Sequence, residues 1–453
     1  MPVTTRRLQW LVAAWLATGC NSDDADTSAG SSTTSDEQTS TSSTTRGSED
    51  ESTQTSHAHD ESTGGCPPGQ QGCPCAPANT CEDGLRCIDG QCMVEDTGGP
   101  ASCGDGIAEP GETCYAPVVF FGVGLEPVGA VIADLDADGA LDLVVSNAGS
   151  HDVTVRIGDG QGAFTSSTQY ATGNRPLAVA TGTIDDDDVL DLIVANHLSN
   201  SVGVLLGNGD GSFGTQLEFP TGAGPSHVLA LDIDGNGQTD AVTADTLADT
   251  VTVLQGSSFG FTAGVPFAVG GAPTMVALGD FRARGTLDLA VCNSAAGTFG
   301  LLLGDGSGDF APHTPFSVGT DPRGLALGDW NADGQLDVAT VNAGSNDVIV
   351  RYGAGNGSFG GQIPFAVGSM PVAIVAADID GDGRLDLVVA NAGSRSVSVL
   401  LGTNQGSFAA AQSFDVGSPP SGLAAGDLNG DGIVDIVVTH ASEGTIGVLI
   451  SDA

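Results

Sequence analysis

Seven short segments of this chain set carboxylates at alternate positions. They are DLDADGALD from Asp134, TIDDDDVLD from Thr183, DIDGNGQTD from Asp232, DFRARGTLD from Asp280, DWNADGQLD from Asp329, DIDGDGRLD from Asp378 and DLNGDGIVD from Asp427. Oxygen donors at positions 1, 3 and 5, a glycine at 6 and a carboxylate at 9 form a donor set for a hard divalent cation, above all calcium. Two loops are fully carboxylate: Asp134, Asp136, Asp138, Asp142, and Asp378, Asp380, Asp382, Asp386. Three carry one asparagine, which still offers an oxygen with less charge: Asp232, Asp234, Asn236, Asp240; Asp329, Asn331, Asp333, Asp337; and Asp427, Asn429, Asp431, Asp435. The second loop has Thr183 at position 1 and Asp188 in place of the turn glycine, leaving Asp185, Asp187 and Asp191. In the fourth loop Arg282 and Arg284 stand between Asp280 and Asp288. A guanidinium there can replace the ion's charge with paired hydrogen bonds, so that loop is expected to be metal-free. The expectation is about five or six structural Ca2+ ions per chain, against the competing reading of seven solvated turns without metal. Such sites pin a turn and leave no open position for substrate.

The charge balance agrees. The chain has 453 residues and a net charge of −44, and the seven loops hold 24 of its 56 acidic residues. That excludes nucleic-acid binding, which calls for a basic face. The chemistry of an enzyme is also missing: there is no nucleophile elbow, no HExxH and no phosphate loop. The expectation is therefore a protein that is not an enzyme.

The loops must be positioned by a repeat. Their starts are 49, 49, 48, 49, 49 and 49 residues apart, a period that signals one supersecondary unit per repeat. Ten residues before each start stands a glycine (Gly124 to Gly417), and seven before it a proline (Pro127 to Pro420). Thirteen before it stands an aromatic ring, Phe121, Tyr170, Phe219, Phe267, Phe316, Phe365 or Phe414. Each unit reads as four short strands. The first follows the proline and is built of small aliphatic residues suited to a crowded axis. The metal loop leads to the second strand. The third alternates with period 2, as in Val397, Val399, Leu401. A Gly-rich turn ending in Phe, such as GDGQGAF, leads to the fourth. The predicted fold is all-β: a seven-bladed β-propeller of four-stranded blades. The seventh repeat lacks a fourth strand, while an orphan strand, Val118 to Val123, precedes the first. That N-terminal strand is expected to close the last blade and remove its open edge.

These residues resemble FG-GAP/VCBS repeats, the family that forms the integrin α-chain propeller and occurs in many exported bacterial proteins. The resemblance spans 116–453. It implies seven blades with structural calcium in the loops between first and second strands, and no single function.

The remaining segments divide as 1–19, 20–65 and 66–115. Arg6 and Arg7 precede a short apolar run and then Thr18-Gly19-Cys20. The run is too short to span a bilayer and resembles a bacterial lipoprotein signal, with Cys20 as the lipidated residue. An ordinary secretory signal is the alternative, giving a secreted protein. Residues 20–65 are rich in Ser, Thr, Asp and Glu, a composition that cannot bury a core. They read as a tether of roughly 35–40 Å r.m.s. reach. Eight cysteines, Cys66, Cys73, Cys75, Cys81, Cys87, Cys92, Cys103 and Cys114, read as a disulfide-rich stalk with undetermined pairing. CGDGIAEPGETC, Cys103 to Cys114, resembles the short cysteine-rich repeat of myxobacterial surface proteins. There an Asp follows the last Cys; here Tyr115 does. Cys292 reads as a buried free thiol.

Topology sorts the loops onto two faces. Metal loops and Gly-Phe turns share one, which is nearly uniform between repeats. The Gly-x-x-Pro links and the loops between second and third strands share the other, which varies. Its candidate ligand residues are Arg175, His197, Arg323, Arg395 and His440. The expected function is a cell-surface binding or adhesion module, outer-membrane anchored, with a surface protein or glycan as partner. The alternative is a secreted carbohydrate-binding or carbohydrate-active propeller of lectin or lyase type. The scarcity of Trp outside the signal, where only Trp330 remains, weighs against that alternative.

Overall fold

The computed structural model describes residues 115–451 except 186, 259, 404 and 405, and the backbone of strands Ala17–Thr18, Cys73–Pro74, Leu85–Ile88 and Gln91–Val94. The signal at 1–19, Cys20, the 20–65 tether and the cysteine framework lie outside the described residues, apart from those strands. By internal contacts the chain divides into 22–106 and a unit of 107–453 with 1–21. In the first, the last three of those strands pair antiparallel, Cys92 opposite Cys73 and Cys87.

The second unit is a seven-bladed propeller, and no helix occurs among the described residues. Blade 1 runs Pro127–Ala133, Asp142–Asn147, Asp152–Arg156 and Thr168–Ala171, from axis to rim, each strand antiparallel to the next. Blades 2 to 6 repeat this order. Every inner strand of these six starts at the repeat's proline, whose missing N–H is tolerated at a strand's first residue. The second strands are buried along their whole length, while the rim strands are mostly exposed. The core therefore lies between neighbouring blades.

Blade 7 comprises Gly422–Gly426, Asp435–His440, Thr445–Leu449 and, as its rim strand, Val119–Gly122. The short strand Ala17–Thr18 also pairs with its inner strand. Closure by the N-terminal strand is as predicted: Val119 pairs with Val448 and Gly122 with Thr445. Tyr115 extends the ladder by bridging Ser451.

Tyr115 has a second role. At six seams the rim-strand aromatic of one blade packs edge-on against the Phe that ends the next blade's Gly-rich turn. Phe121 meets Phe164 at 5.1 Å, Tyr170 meets Phe213 at 5.6 Å, and Phe365 meets Phe408 at 5.2 Å. In blade 7 no such turn lies among the described residues. There Tyr115 takes the place of the missing Phe and meets Phe414 at 5.2 Å and 84°. The tyrosine that departs from the cysteine-repeat pattern is thus the residue that completes the seventh seam.

Candidate metal loops and the variable face

Each loop is organised by its position-9 aspartate. All seven are fully buried. In blade 1 one carboxylate oxygen of Asp142 accepts from Leu135 N (2.7 Å) and the other from Gly158 N (2.8 Å). The side chain therefore ties the start of the loop to the Gly-rich turn. In blades 1, 3, 4, 5 and 7 position 1 accepts from the N–H groups of positions 5 and 6, as Asp134 does from Asp138 and Gly139. Position 6 has φ > 0 throughout, which glycine supplies without strain; in blade 2 Asp188 holds φ 62° there.

The backbone turn brings positions 1, 3 and 9 together. Asp134, Asp136, Asp142; Asp232, Asp234, Asp240; and Asp378, Asp380, Asp386 each place one oxygen per residue within 4.8 Å of the others. The position-5 side chain caps the turn instead: Asp138 accepts from Ala140 N (2.8 Å) and Asn236 from Gln238 N (2.7 Å). Asp333, Asp382 and Asp431 do the same for Gln335, Arg384 and Ile433. In blades 5 and 7 the position-3 amide turns inward, Asn331 donating to Asp333 (3.0 Å) and Asn429 to Asp431 (2.9 Å). In blade 2 Asp187 caps Val189 N, and no carboxylate triad forms with Asp185 and Asp191 among the described residues.

Burial, reinforced by nearby carboxylates, pushes the carboxyls of Asp142, Asp191, Asp240 and Asp435 above the ordinary range. It pushes Asp386 up to about 6 and Asp337 to about 7. Packing crowded anions at low dielectric is unfavourable unless a positive charge offsets it. Three triads thus have the donor chemistry and spacing to hold a divalent metal ion.

Blade 4 supplies that positive charge from the chain. Arg282 grips Asp288 with two bonds, Nη2 to Oδ1 at 2.6 Å and Nε to Oδ2 at 3.2 Å, and also donates to Thr286 Oγ1 and Gly304 O. Arg284 has no such part. Its side chain is exposed, and its backbone N–H is what bonds Asp280 (3.0 Å). Of the two arginines expected to replace the ion's charge, only Arg282 does so. The turn directs position 3 toward the buried carboxylate and position 5 away from it.

The Gly-rich turn of a blade lies on the metal loop of the blade before it. Gly162 N donates to Leu428 O (3.0 Å) and Gly357 N to Phe281 O (3.2 Å). A Cβ on Gly211 would come within 3.8 Å of Asp136, and one on Gly406 within 2.6 Å of Asn331. The loops thus stiffen seams as well as turns.

The opposite face carries the varied residues. An Asn ends the second strand in five blades and joins three segments. Asn147 Oδ1 accepts from Gly124 N, while its amide donates to Asp152 (2.6 Å) and Thr154 (2.8 Å). Asp245, which the sequence places only among the varied residues of this face, fills this slot in blade 3. It accepts from the hydroxyls of Thr243, Thr250 and Thr252, and burial pushes its carboxyl up to about 6. The signal was its alignment with Asn in a cluster of threonines.

His440 fills the slot in blade 7. It is fully buried beside Phe120, so it cannot meet a ligand and is corrected out of the ligand face. Arg323 is half-buried and paired with Asp321 at 2.9 Å. Arg175, His197 and Arg395 lie in the variable loops, Arg175 and Arg395 at φ 55°. Cys292 is buried and free, and Trp330 is buried against Phe408.

No protein of curated description matches the chain by sequence. Among solved structures, BBS1N in complex with ARL6DN, soaked with mercury, gives a TM-score of 0.54 at 15% identity, over 75% of this chain and 97% of that one. The periplasmic gluconolactonase PpgL of Pseudomonas aeruginosa gives 0.50 at 19%, over 67% and 97%. An Agrocybe aegerita lectin for non-reducing terminal N-acetylglucosamine gives 0.47 at 17%, over 74% and 94%. At these identities the likeness concerns the fold alone. The model of the FG-GAP-like repeat matches residues 134–194, 184–243, 280–340, 329–389 and 378–438, more than half of the chain. With seven blades, their recurring Asp loops and this match together, the chain belongs to the FG-GAP-like repeat family.

Proposed function

We propose that this chain is an exported, lipid-anchored binding module, a calcium-stabilised propeller that presents its variable face to a surface partner and carries out no reaction of its own. The observation that carries this reading is the division between faces. One face spends its side chains on the same Asp loops and Gly-Phe turns in almost every blade. The other uses one backbone scaffold to display different residues, such as Arg175, His197 and Arg395, from blade to blade. Loops on a rigid scaffold that differ while the scaffold repeats are the ordinary form of a recognition surface. Calcium serves the scaffold, and Cys20 supplies the lipid anchor.

The test is capture from cell-surface extracts by the full chain in calcium, with a glycan array in parallel. A partner retained by the wild type and lost when Arg175, His197 and Arg395 are replaced by Ser supports the reading. Depolymerisation of a polysaccharide by the purified protein would replace it with the carbohydrate-active one. The anchor is tested separately. Cys20→Ser should move the exported protein from the membrane fraction to the soluble one; membrane retention of that variant, with no lipid label on the wild type, removes the anchor.

A further inference from the structure

Blades 1 to 6 end the second strand with a residue that is hydrogen-bonded inside its own blade. Asn147, Asn196, Asp245, Asn293, Asn342 and Asn391 each meet a hydroxyl or a carboxylate. Blade 7 has His440. It is 0% exposed, and neither ring nitrogen completes a hydrogen bond among the described residues. A neutral imidazole carries one N–H donor and one acceptor, so both lie buried and unmet.

The third strand accounts for this. In blades 1, 3 and 6 a hydroxyl on that strand, from Thr154, Thr252 or Ser398, meets the residue in the slot. Blade 7 has Gly447 in that position, and a Cβ there would stand 3.1 Å from His440 Nε2. Gly447 gives the ring room and no partner.

The strand that closes the propeller packs over this ring. Phe120 pairs with Gly447, and its ring lies 5.7 Å from the imidazole at 53°. Phe120 is itself 51% exposed. The closing strand comes from the chain before blade 1 and meets blade 7 through four residue pairs. It can lift locally while blades 1 to 6 keep their own ladders.

Charges around the imidazole do not offset its burial. The closing strand, the third strand Thr445–Leu449 and the link 416–420 carry no titratable side chain. Glu443, in the loop after His440, is exposed and accepts from Ser418 (3.4 Å). Asp415, on the rim strand of blade 6, accepts from Gly417 N (2.8 Å). Arg156 of blade 1 donates to Gly122 O on the Phe121 side of the closing strand. Arg395 of blade 6 meets the link through its carbonyl, at Val416 N. The carbonyls of Pro419 and Ser418 face the ring without completing a bond to it. Burial outweighs these carbonyls and Glu443, and holds the imidazole below its ordinary pKa. With the strand lifted, a charged imidazole would meet water instead. The seated strand is therefore fully stable above about pH 6.5 and loses stability as pH falls below it.

We propose that His440 is an acid-released latch: protonation of its imidazole lifts Val119–Gly122 from blade 7 and opens the ring at that seam. The latch does not depend on what the variable face binds.

The test is hydrogen exchange of the full chain in saturating calcium at pH 7.5 and 5.5, each rate divided by that of an unstructured peptide at the same pH. Exchange in 119–122 should rise roughly three- to tenfold at pH 5.5, the upper value being the limit one unit below an unperturbed imidazole. Exchange in 168–171, the rim strand of blade 1, should not follow. In His440→Asn, which installs the residue of five other blades, the rise should vanish. No rise in the wild type, or an equal rise in 168–171, overturns the latch. So does an equal rise in His440→Asn, which would assign the acid response to Glu443, Asp415 or the metal loops. Should His440→Asn fail to fold, His440→Gln takes its place. The wild-type protein gives a second reading by NMR: His440 ring protons that titrate at or above about pH 6.5 overturn the latch as well.

Discussion

At the scale of single residues, two side chains replace what the repeat calls for. Arg282 stands in for a cation. Removing it leaves Asp288 buried with an unpaired charge, and Arg282→Ala should cost about 3–5 kcal/mol. Arg284→Ala should stay within about 0.5 kcal/mol, as for an exposed side chain without a partner. Urea titrations of both variants check this; equal losses would remove Arg282 from its place. The sequence showed two arginines in the loop but not which one reached inward, because that depends on the direction each position takes in the turn. Asp245 is the second case. Its carboxyl is raised to about 6 by burial, so the native state holds a proton more tightly than the unfolded chain. Its contribution therefore favours the fold in acid and is lost as pH rises from about 4 to about 6. Asp245→Asn, the residue of five other blades, should remove that slope and stabilise at pH 7 by at most ~3 kcal/mol. Melting curves of variant and wild type in saturating calcium, at pH 4.5 and 7.5, should diverge only at the higher pH.

At the scale of elements, the strands and their order were readable because each blade closes through neighbours in sequence. Pro at the axis, Asp at the turn and an aromatic at the rim recur in register, and the structure places them so. Contacts made across some 300 residues leave no local trace. The pairing of Tyr115 with Phe414 is one, and the burial of His440 beneath the closing strand is another. The hydroxyl of Tyr115 is buried, with no hydrogen-bond partner among the described residues. Tyr115→Phe, which restores the ring used at the other seams, should therefore be neutral or slightly stabilising. Tyr115→Ala should cost about 2–3 kcal/mol and speed hydrogen exchange in 119–122 and 445–449. Unchanged exchange there would mean that the seam does not hold the strand.

At the scale of the whole molecule, the loops connect metal to ring stability. Metal analysis after dialysis in micromolar calcium should find about five or six ions per chain, and chelation should lower the melting temperature, because ligands bound to the native state alone stabilise it. Blades 1, 3 and 6, with three converging carboxylates, should fill first; blades 5 and 7 must first turn the amides of Asn331 and Asn429. Affinity should fall below about pH 6, since the ligands bind as anions. Fewer than three ions, or melting indifferent to chelator, would make the loops plain turns. The closing strand has a mechanical consequence. A pull on the chain just before Tyr115 enters the closing strand through that residue. The Tyr115–Ser451 bridge and the Phe414 contact take the load first, followed by the ladder from Val119–Val448 to Gly122–Thr445. Blades 1 to 6, each made from consecutive chain, bear none of it until this strand has come away. The element that completes the ring thus sets the force at which it opens.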